Sequence, residues 1–245
     1  MNQSFKKAFE VLSFIVENPE KMTLVEMSSR MGMNKTTLYR FLSTMESMDF
    51  LARVGDRYVP GIKLFELGSR VPIKELLVDK VHPILLRLTA EVNETVNVGE
   101  FRKNRVFYLD KTESQRSLQI HTSVGSFIPI HSSALGKSIL AILSEPLREA
   151  IISRLDFEKK TENTVTDAAV LRTHVAKVWE RGYGTDCEEM EDGLHCVAVP
   201  LKIEKLDFYG ALSCSGPTVR FTSQRMEELA QRLKEAVDEI KDLFK

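Results

Sequence analysis

The most constraining stretch of the chain is the run from Thr23 to Asn34, where two helix starts stand on either side of a single stop. Thr23-Leu24-Val25-Glu26 has the T-x-x-E form of a capping box, in which the threonine hydroxyl meets the amide of Glu26 and the Glu26 carboxylate returns to the amide of Thr23. Gly32 supplies the left-handed residue expected after a last turn, and Asn34 caps a new helix just beyond it. Two helices joined by so tight a turn read as a helix-turn-helix.

The flanking residues extend this unit. Residues 5–17 place Phe5, Ala8, Phe9, Leu12, Ile15 and Val16 on one side of a helix that Asn18-Pro19 ends. The second helix carries Leu24, Met27 and Met31 inward, and the third repeats Leu38, Phe41, Leu42, Met45 and Met48 at helical spacing. Residues 50–53 and 57–60 read as two short strands around the turn Gly55-Asp56, the wing of a winged helix-turn-helix. Residues 62–70 predict a linker helix through Ile62, Leu64, Phe65 and Leu67, with Pro72 after it. The expected organisation is a DNA-binding domain at 1–61, a linker helix at 62–72 and a second domain at 73–245.

In the second domain, Leu77, Val81, Ile84, Leu85 and Leu88 mark the buried side of a helix over 74–92, which Pro83 kinks or restarts. Strands are expected at 95–101, 105–111, 117–122, 183–187, 195–202 and 207–215, with helices at 133–143, 146–154, 167–182 and 223–244. Hairpin-like spacing around Lys103-Asn104 favours an antiparallel sheet flanked by helices, so the fold class is α+β.

Composition removes other classes. With 43% hydrophobic and 28% charged residues, the chain is neither disordered nor collagen-like. Apolar runs such as Ile84-Leu85-Leu86 fall far short of the ~20 residues that span a bilayer. Lys6, Lys7 and Glu10 occupy the place of a secretory signal's apolar block, so a cytoplasmic location is expected. Cys187, Cys196 and Cys214 are odd in number and lack a C-x-x-C pair, which predicts reduced thiols. Residues 1–70 carry a net charge of +2 and residues 71–245 a net of −3, the sign expected of an amino-terminal nucleic-acid-binding unit.

The third helix turns Lys35, Thr36, Thr37, Tyr39, Arg40, Ser43 and Thr44 away from its apolar stripe. Hydroxyls bond base edges, arginine binds guanine bidentately, and no acid appears before Glu46 to meet phosphate repulsion. An ordinary solvated helix face has a similar composition, but the capping box, tight turn and wing around it point to double-stranded DNA.

Three other motifs are less direct. Gly136-Lys137-Ser138 resembles the end of a phosphate-binding G-x-x-x-x-G-K-[ST] loop, yet His131 stands where the first glycine is needed, so Gly136 reads as close packing or turn geometry. The acidic run Asp186, Glu188, Glu189, Glu191 and Asp192 reads as a solvated loop, and the adjacent His195 and Cys196 point to opposite faces of a strand. Ser213 and Ser215 share one strand face, and Leu212 and Cys214 the other. Two hydroxyls aimed into a cavity orient a small carboxylate, whereas on an exposed edge they do nothing in particular, and the residues alone leave both open.

Five segments together resemble the IclR-type transcriptional regulators over essentially the full chain: 35–45 (KTTLYRFLSTM), 58–68 (YVPGIKLFELG), 128–141 (IPIHSSALGKSILA), 182–200 (GYGTDCEEMEDGLHCVAVP) and 211–217 (ALSCSGP). Within the family, KTTLYRFL, KLFELG and the segment 217–221 are most similar to the branch that regulates 2-keto-3-deoxygluconate metabolism. The resemblance implies a winged helix, a linker helix and a GAF-like effector domain, with homodimers through the DNA-binding half and tetramers through the effector half. It implies a small organic acid, 2-keto-3-deoxygluconate favoured, bound by the backbone at Ala134 and Leu135, the side chains of Asp186, Cys196, Ser213 and Ser215, and an apolar wall at Leu194. No cofactor is implied. Asn97 stands where many relatives have histidine, so a metal or ligand contact by that histidine does not transfer, and no metal is expected.

The function implied is a sequence-specific repressor of carbohydrate or sugar-acid catabolic genes. An alternative is an enzyme of small carboxylic acid metabolism with an appended nucleic-acid-binding domain. An enzyme needs an activated nucleophile, an acid–base pair or a cofactor motif, and the sequence shows none.

Overall fold

The structure, a computed structural model, describes residues 2–18, 22–71, 77–116 and 123–245. The chain divides into two compact units, Met1–Glu75 and Leu76–Lys245. The fold is α+β.

In the first unit, helices α1 (Gln3–Glu17), α2 (Leu24–Met31) and α3 (Lys35–Ser47) pack with a small antiparallel sheet of β1 (Met22–Thr23), which lies between α1 and α2, and β2 (Leu51–Val54) and β3 (Arg57–Pro60), followed by α4 (Ile62–Gly68). The capping box forms in both directions: the Glu26 amide donates to Thr23 Oγ1 at 3.3 Å and the Thr23 amide donates to Glu26 Oε2 at 2.7 Å. Gly32 ends α2 at φ +59°, and Asn34 Oδ1 accepts the Thr36 amide at 2.9 Å to start α3. The core gathers Val11, Ile15, Met27, Leu38, Leu42, Leu51 and Tyr58. Full burial of each such aliphatic side chain is worth ~1.5–3 kcal/mol.

Two features here lie beyond what the sequence reading specified. The apolar side of α1 is only partly inward: Val11 and Ile15 are buried, whereas Phe5, Phe9 and Val16 are exposed, as is Met48 at the end of α3. The helix meets its own core along one narrow stripe, and the apolar residues exceed it. The sheet also has a third strand, β1, paired through Met22 opposite Tyr58, which two residues gave no period to reveal.

The second unit is a six-stranded antiparallel sheet in the order β6-β5-β4-β9-β8-β7. Its strands are β4 (Thr95–Arg102), β5 (Arg105–Thr112), β6 (Phe127–Ile128), β7 (Gly184–Cys187), β8 (Leu194–Ile203) and β9 (Phe208–Pro217). Helices α5 (Asp79–Val92) and α9 (Ser223–Asp242) pack together and against the sheet; α6 (Ala134–Ile142) lies on β8 and β9 and against α8 (Ala168–Arg181), and α7 (Glu145–Ile152) follows α6. Pro83 neither breaks nor restarts α5, because as its fifth residue it forgoes only the first intrahelical bond. The strand expected at 117–122 lies outside the described residues, and the short β6 was not anticipated. No helix among the described residues is long and apolar enough to cross a membrane.

Candidate DNA-reading helix and effector pocket

On α3, Leu38 and Leu42 point inward and the seven polar residues Lys35, Thr36, Thr37, Tyr39, Arg40, Ser43 and Thr44 are all exposed. No acidic residue lies in the first turn. The Thr44 hydroxyl donates to the Arg40 carbonyl at 2.8 Å, which fixes it to the helix backbone. The hairpin beside α3 adds Arg53 and Arg57, two exposed cations outside the set read from the sequence. Arg53 donates to the Gly55 carbonyl at 3.1 Å and lies 5.8 Å above the Tyr58 ring. Their signal in the sequence is a pair of cations flanking a glycine turn.

In the second unit, strand register assembles a polar surface. Asp186, Cys196, Ser215 and Thr95 stand opposite one another across β7, β8, β9 and β4. The next row holds Gly184, Ala198, Ser213, Asn97 and Lys111. Directly opposed residues share a face, so Asp186, Cys196, Ser213 and Ser215 lie on one side of the sheet with Leu194 at its end. His195 is on the other side, where its Nδ1 lies 3.1 Å from the Phe221 carbonyl.

The amino end of α6 sits over this face. A Cβ on Gly184 would come 3.0 Å from the Ala134 carbonyl, and one on Gly99 would meet a Leu135 methyl at 3.1 Å. Ser133 caps the helix by accepting the Gly136 amide at 3.0 Å, so Ala134 and Leu135 supply the first two helical amides. Such amides carry the positive end of the helix dipole and suit an anion. Ser213 and Ser215 are 3% and 6% exposed, so the edge-strand alternative does not hold. Ser215 accepts from Asn97 Nδ2 at 3.2 Å, which gives Asn97 a structural hydrogen bond. Among the described residues no cluster of three or more histidine, cysteine or acidic side chains is placed to hold a metal.

Two residues of this site, Lys137 and Glu189, were not among those read from the sequence. The acidic run is not uniformly solvated: Glu191 and Asp192 are exposed, but Asp186 and Glu189 are 1% and 5% exposed. Lys137, from the failed phosphate-loop motif, is 1% exposed and its ammonium lies 2.5 Å from Glu189 Oε1. Asp186 Oδ1 accepts the Glu189 amide at 2.8 Å, and burial raises the Asp186 carboxyl to about 7 against the pull of Lys137. Burial likewise pushes the Cys196 thiol and the Tyr108 phenol up, and Tyr108 senses both Cys196 and Asp186.

A solvent-facing helix with no acid in its first turn in a winged unit and a buried polar cradle in a second unit define a DNA-binding regulator with a ligand-sensing domain. The chain belongs to the IclR family of transcriptional regulators: residues 4–55 match the IclR helix-turn-helix domain and residues 73–242 the bacterial transcriptional regulator IclR C-terminal domain. It is 33% identical over 243 residues to the HTH-type transcriptional regulator KdgR of Escherichia coli strain K12, covering 97% of this chain and 90% of that one. It is 30% identical to the acetate operon repressor of Salmonella typhimurium, over 97% of this chain and 88% of the relative. The crystal structure of the Thermotoga maritima IclR, at 33% identity, superposes with a TM-score of 0.75 over 98% of both chains. Members of this family are transcriptional regulators with a carboxy-terminal effector domain, not enzymes.

Proposed function

We propose that this regulator is a cytoplasmic repressor of carbohydrate or sugar-acid catabolic genes, released from a near-palindromic operator when a small organic acid enters the effector domain. The observation that carries the reading is the burial of Ser213, Ser215 and Asp186 on one sheet face beneath the amino end of α6. The winged helix-turn-helix is assigned to 1–61, the linker that contains α4 to 62–72 and the effector domain to 73–245. Lys35, Thr36, Thr37, Tyr39, Arg40, Ser43 and Thr44 face the major groove, with Arg40 and Thr37 on base edges and Lys35 on phosphate.

Amides of Ala134 and Leu135 and the hydroxyls of Ser213 and Ser215 take the carboxylate, Leu194 and Cys196 wall the site, and Asp186 meets the rest of the ligand. The favoured acid is 2-keto-3-deoxygluconate, on the strength of the sequence resemblance, and the acetate operon repressor supports the sign of regulation by its name. Pairing of two copies through the DNA-binding half is supported by a groove of about 600 Å³ between α1 and α3, whose apolar part is lined by Phe5, Phe9, Phe41 and Met45 and whose wall runs on into Thr37, Arg40 and Thr44 of the DNA face. A dimer offers two α3 helices to half-sites ~34 Å apart.

The test is binding of the purified protein to the DNA upstream of its own gene, with footprinting and a panel of organic acids. A two-fold symmetric footprint weakened by 2-keto-3-deoxygluconate is expected. Protection of a single asymmetric half-site by a monomer, or indifference to every acid, overturns the reading.

A further inference from the structure

Asp186, Glu189 and Lys137 form a buried group of two acidic side chains and one ammonium, which pairs with Glu189. Lys137 is in contact with Glu189 Oε1, and Asp186 Oδ1 accepts the backbone amides of Glu189 and Met190, at 2.8 and 3.4 Å. The second oxygen of each acid, Asp186 Oδ2 and Glu189 Oε2, is buried with no hydrogen-bond partner. A buried ionised oxygen without a donor is costly, whereas a protonated one becomes a donor in need of an acceptor. Glu189 holds the ion pair, so the proton belongs to Asp186. Because Oδ1 already accepts twice, it sits on Oδ2.

We propose that Asp186 is a specificity-determining group of the effector site, donating a hydrogen bond from Oδ2 to an acceptor oxygen of the bound acid, so that above neutral pH the acid binds with uptake of one proton. This rests on the pocket proposed above and adds the protonation state that lets an acidic residue face an anionic ligand. With Oδ2 ionised, the two would repel.

The thiols, phenol and imidazoles around Asp186 are all shifted away from neutrality by burial. Cys196 from β8, Tyr108 from β5 and Cys187 on β7 itself are all pushed up by burial and stay neutral. His131, before α6, and His174, on α8, sense Lys137 and are both lowered by burial, His174 to about 4. Glu189, after β7, is also raised by burial and drawn back down by the Lys137 ammonium it contacts, so the titration is assigned by its loss in Asp186→Asn. Burial of Asp186, only partly offset by Lys137 and its two amides, puts its midpoint at about 7.

The experiment uses the full chain. With ¹³C-labelled aspartate carboxyls, one resonance is expected to titrate near pH 7 and to be missing from Asp186→Asn, which keeps an acceptor at Oδ1 and a donor in place of Oδ2–H. Calorimetry with 2-keto-3-deoxygluconate and with pyruvate as probes is expected to show parent affinity flat below pH 6.5, then falling toward tenfold per pH unit above 7. Asp186→Asn stays flat across the range. Titration of every aspartate below pH 5, or parent affinity unchanged from pH 6 to 8.5, overturns the proposal and leaves the pocket standing. A Ser213→Ala/Ser215→Ala variant that binds the acid as tightly as the parent overturns the pocket instead. Failure of either probe to bind at millimolar concentration overturns the ligand half of the proposal, and the carboxyl titration still decides the protonation half.

Discussion

The ammonium of Lys137 and the carboxylate of Glu189 meet at 2.5 Å with 1% and 6% of their side chains exposed, although 52 positions separate them in the chain. Removing one partner of such a pair leaves a buried charge uncompensated and costs ~3–5 kcal/mol, while replacing both by apolar groups of similar volume is often neutral. Lys137→Met is expected to destabilise the protein by that amount in urea unfolding, and Lys137→Met/Glu189→Leu to recover most of it. Equal losses in the single and double variants would show that packing, not charge, holds the pair.

This pair also marks the limit of what the sequence disclosed. Capping box, stop and wing were legible because each is a local rule: Thr23 with Glu26, Gly32 with its positive φ, Gly55 between two short strands. The strands of the second unit were legible by alternation, and the shared face of Ser213 and Ser215 followed from a period of two. Lys137 and Glu189 were not, since their meeting depends on α6 packing over β8, a fact of register and layer order with no local signature. Composition made Lys137 a broken phosphate loop and Glu189 a solvated acid. The exposed Phe5 and Phe9 misled for the opposite reason: their spacing says which side of a helix is apolar, not what covers it.

On the DNA-facing helix, Arg40→Ala is expected to cost ~1–3 kcal/mol of operator affinity and to relax sequence preference, because a bidentate base contact is lost. Lys35→Ala is expected to weaken all DNA alike and to lower the salt slope by about one. Mobility-shift titrations at several salt concentrations separate the two. Unchanged affinity and preference for Arg40→Ala would falsify its assignment to a base edge.

Gly136 stands where a Cβ would lie 2.3 Å from the Ile130 carbonyl oxygen, against backbone that cannot swing aside. Gly136→Ala is therefore expected to destabilise the effector unit by up to ~2 kcal/mol despite its gain in helix propensity, an overpacking cost of ~1–3 kcal/mol set against ~1 kcal/mol. Denaturant unfolding of the variant checks the sign: a net gain in stability would mean that the start of α6 yields without strain.

Acid stability should follow His174. Burial lowers its pKa to about 4, against ~6.5 in the unfolded chain, so its neutral form stabilises the fold above pH 6.5 and that contribution is lost as the pH falls toward 4. Asp186 works in the other direction: raised to about 7, it favours the fold at low pH and ceases to as the pH rises through 7. His174→Gln is expected to flatten the loss of thermal stability between pH 6.5 and 4. An unchanged acid limb would show that His174 is solvated when protonated.

The pocket itself predicts a separation of functions. Ser213 and Ser215 lie on a central strand, flanked by β4 and β8, and their hydroxyls serve no capping or turn role in the fold. Truncating both to alanine removes two donors without changing the strand's backbone ladder, and each hydrogen bond to a charged ligand is worth ~1.5–3 kcal/mol. Two such losses exceed the ~1.4 kcal/mol of coupling that a tenfold change in DNA affinity requires. Asn97, whose amide donates to Ser215, loses an acceptor in the variant, so some loss of stability accompanies the change and should be measured separately. Ser213→Ala/Ser215→Ala is expected to bind operator as the parent does without ligand and to ignore added acid. If the double variant releases DNA at the same acid concentration as the parent, the carboxylate binds elsewhere and the amino end of α6 is not its anchor.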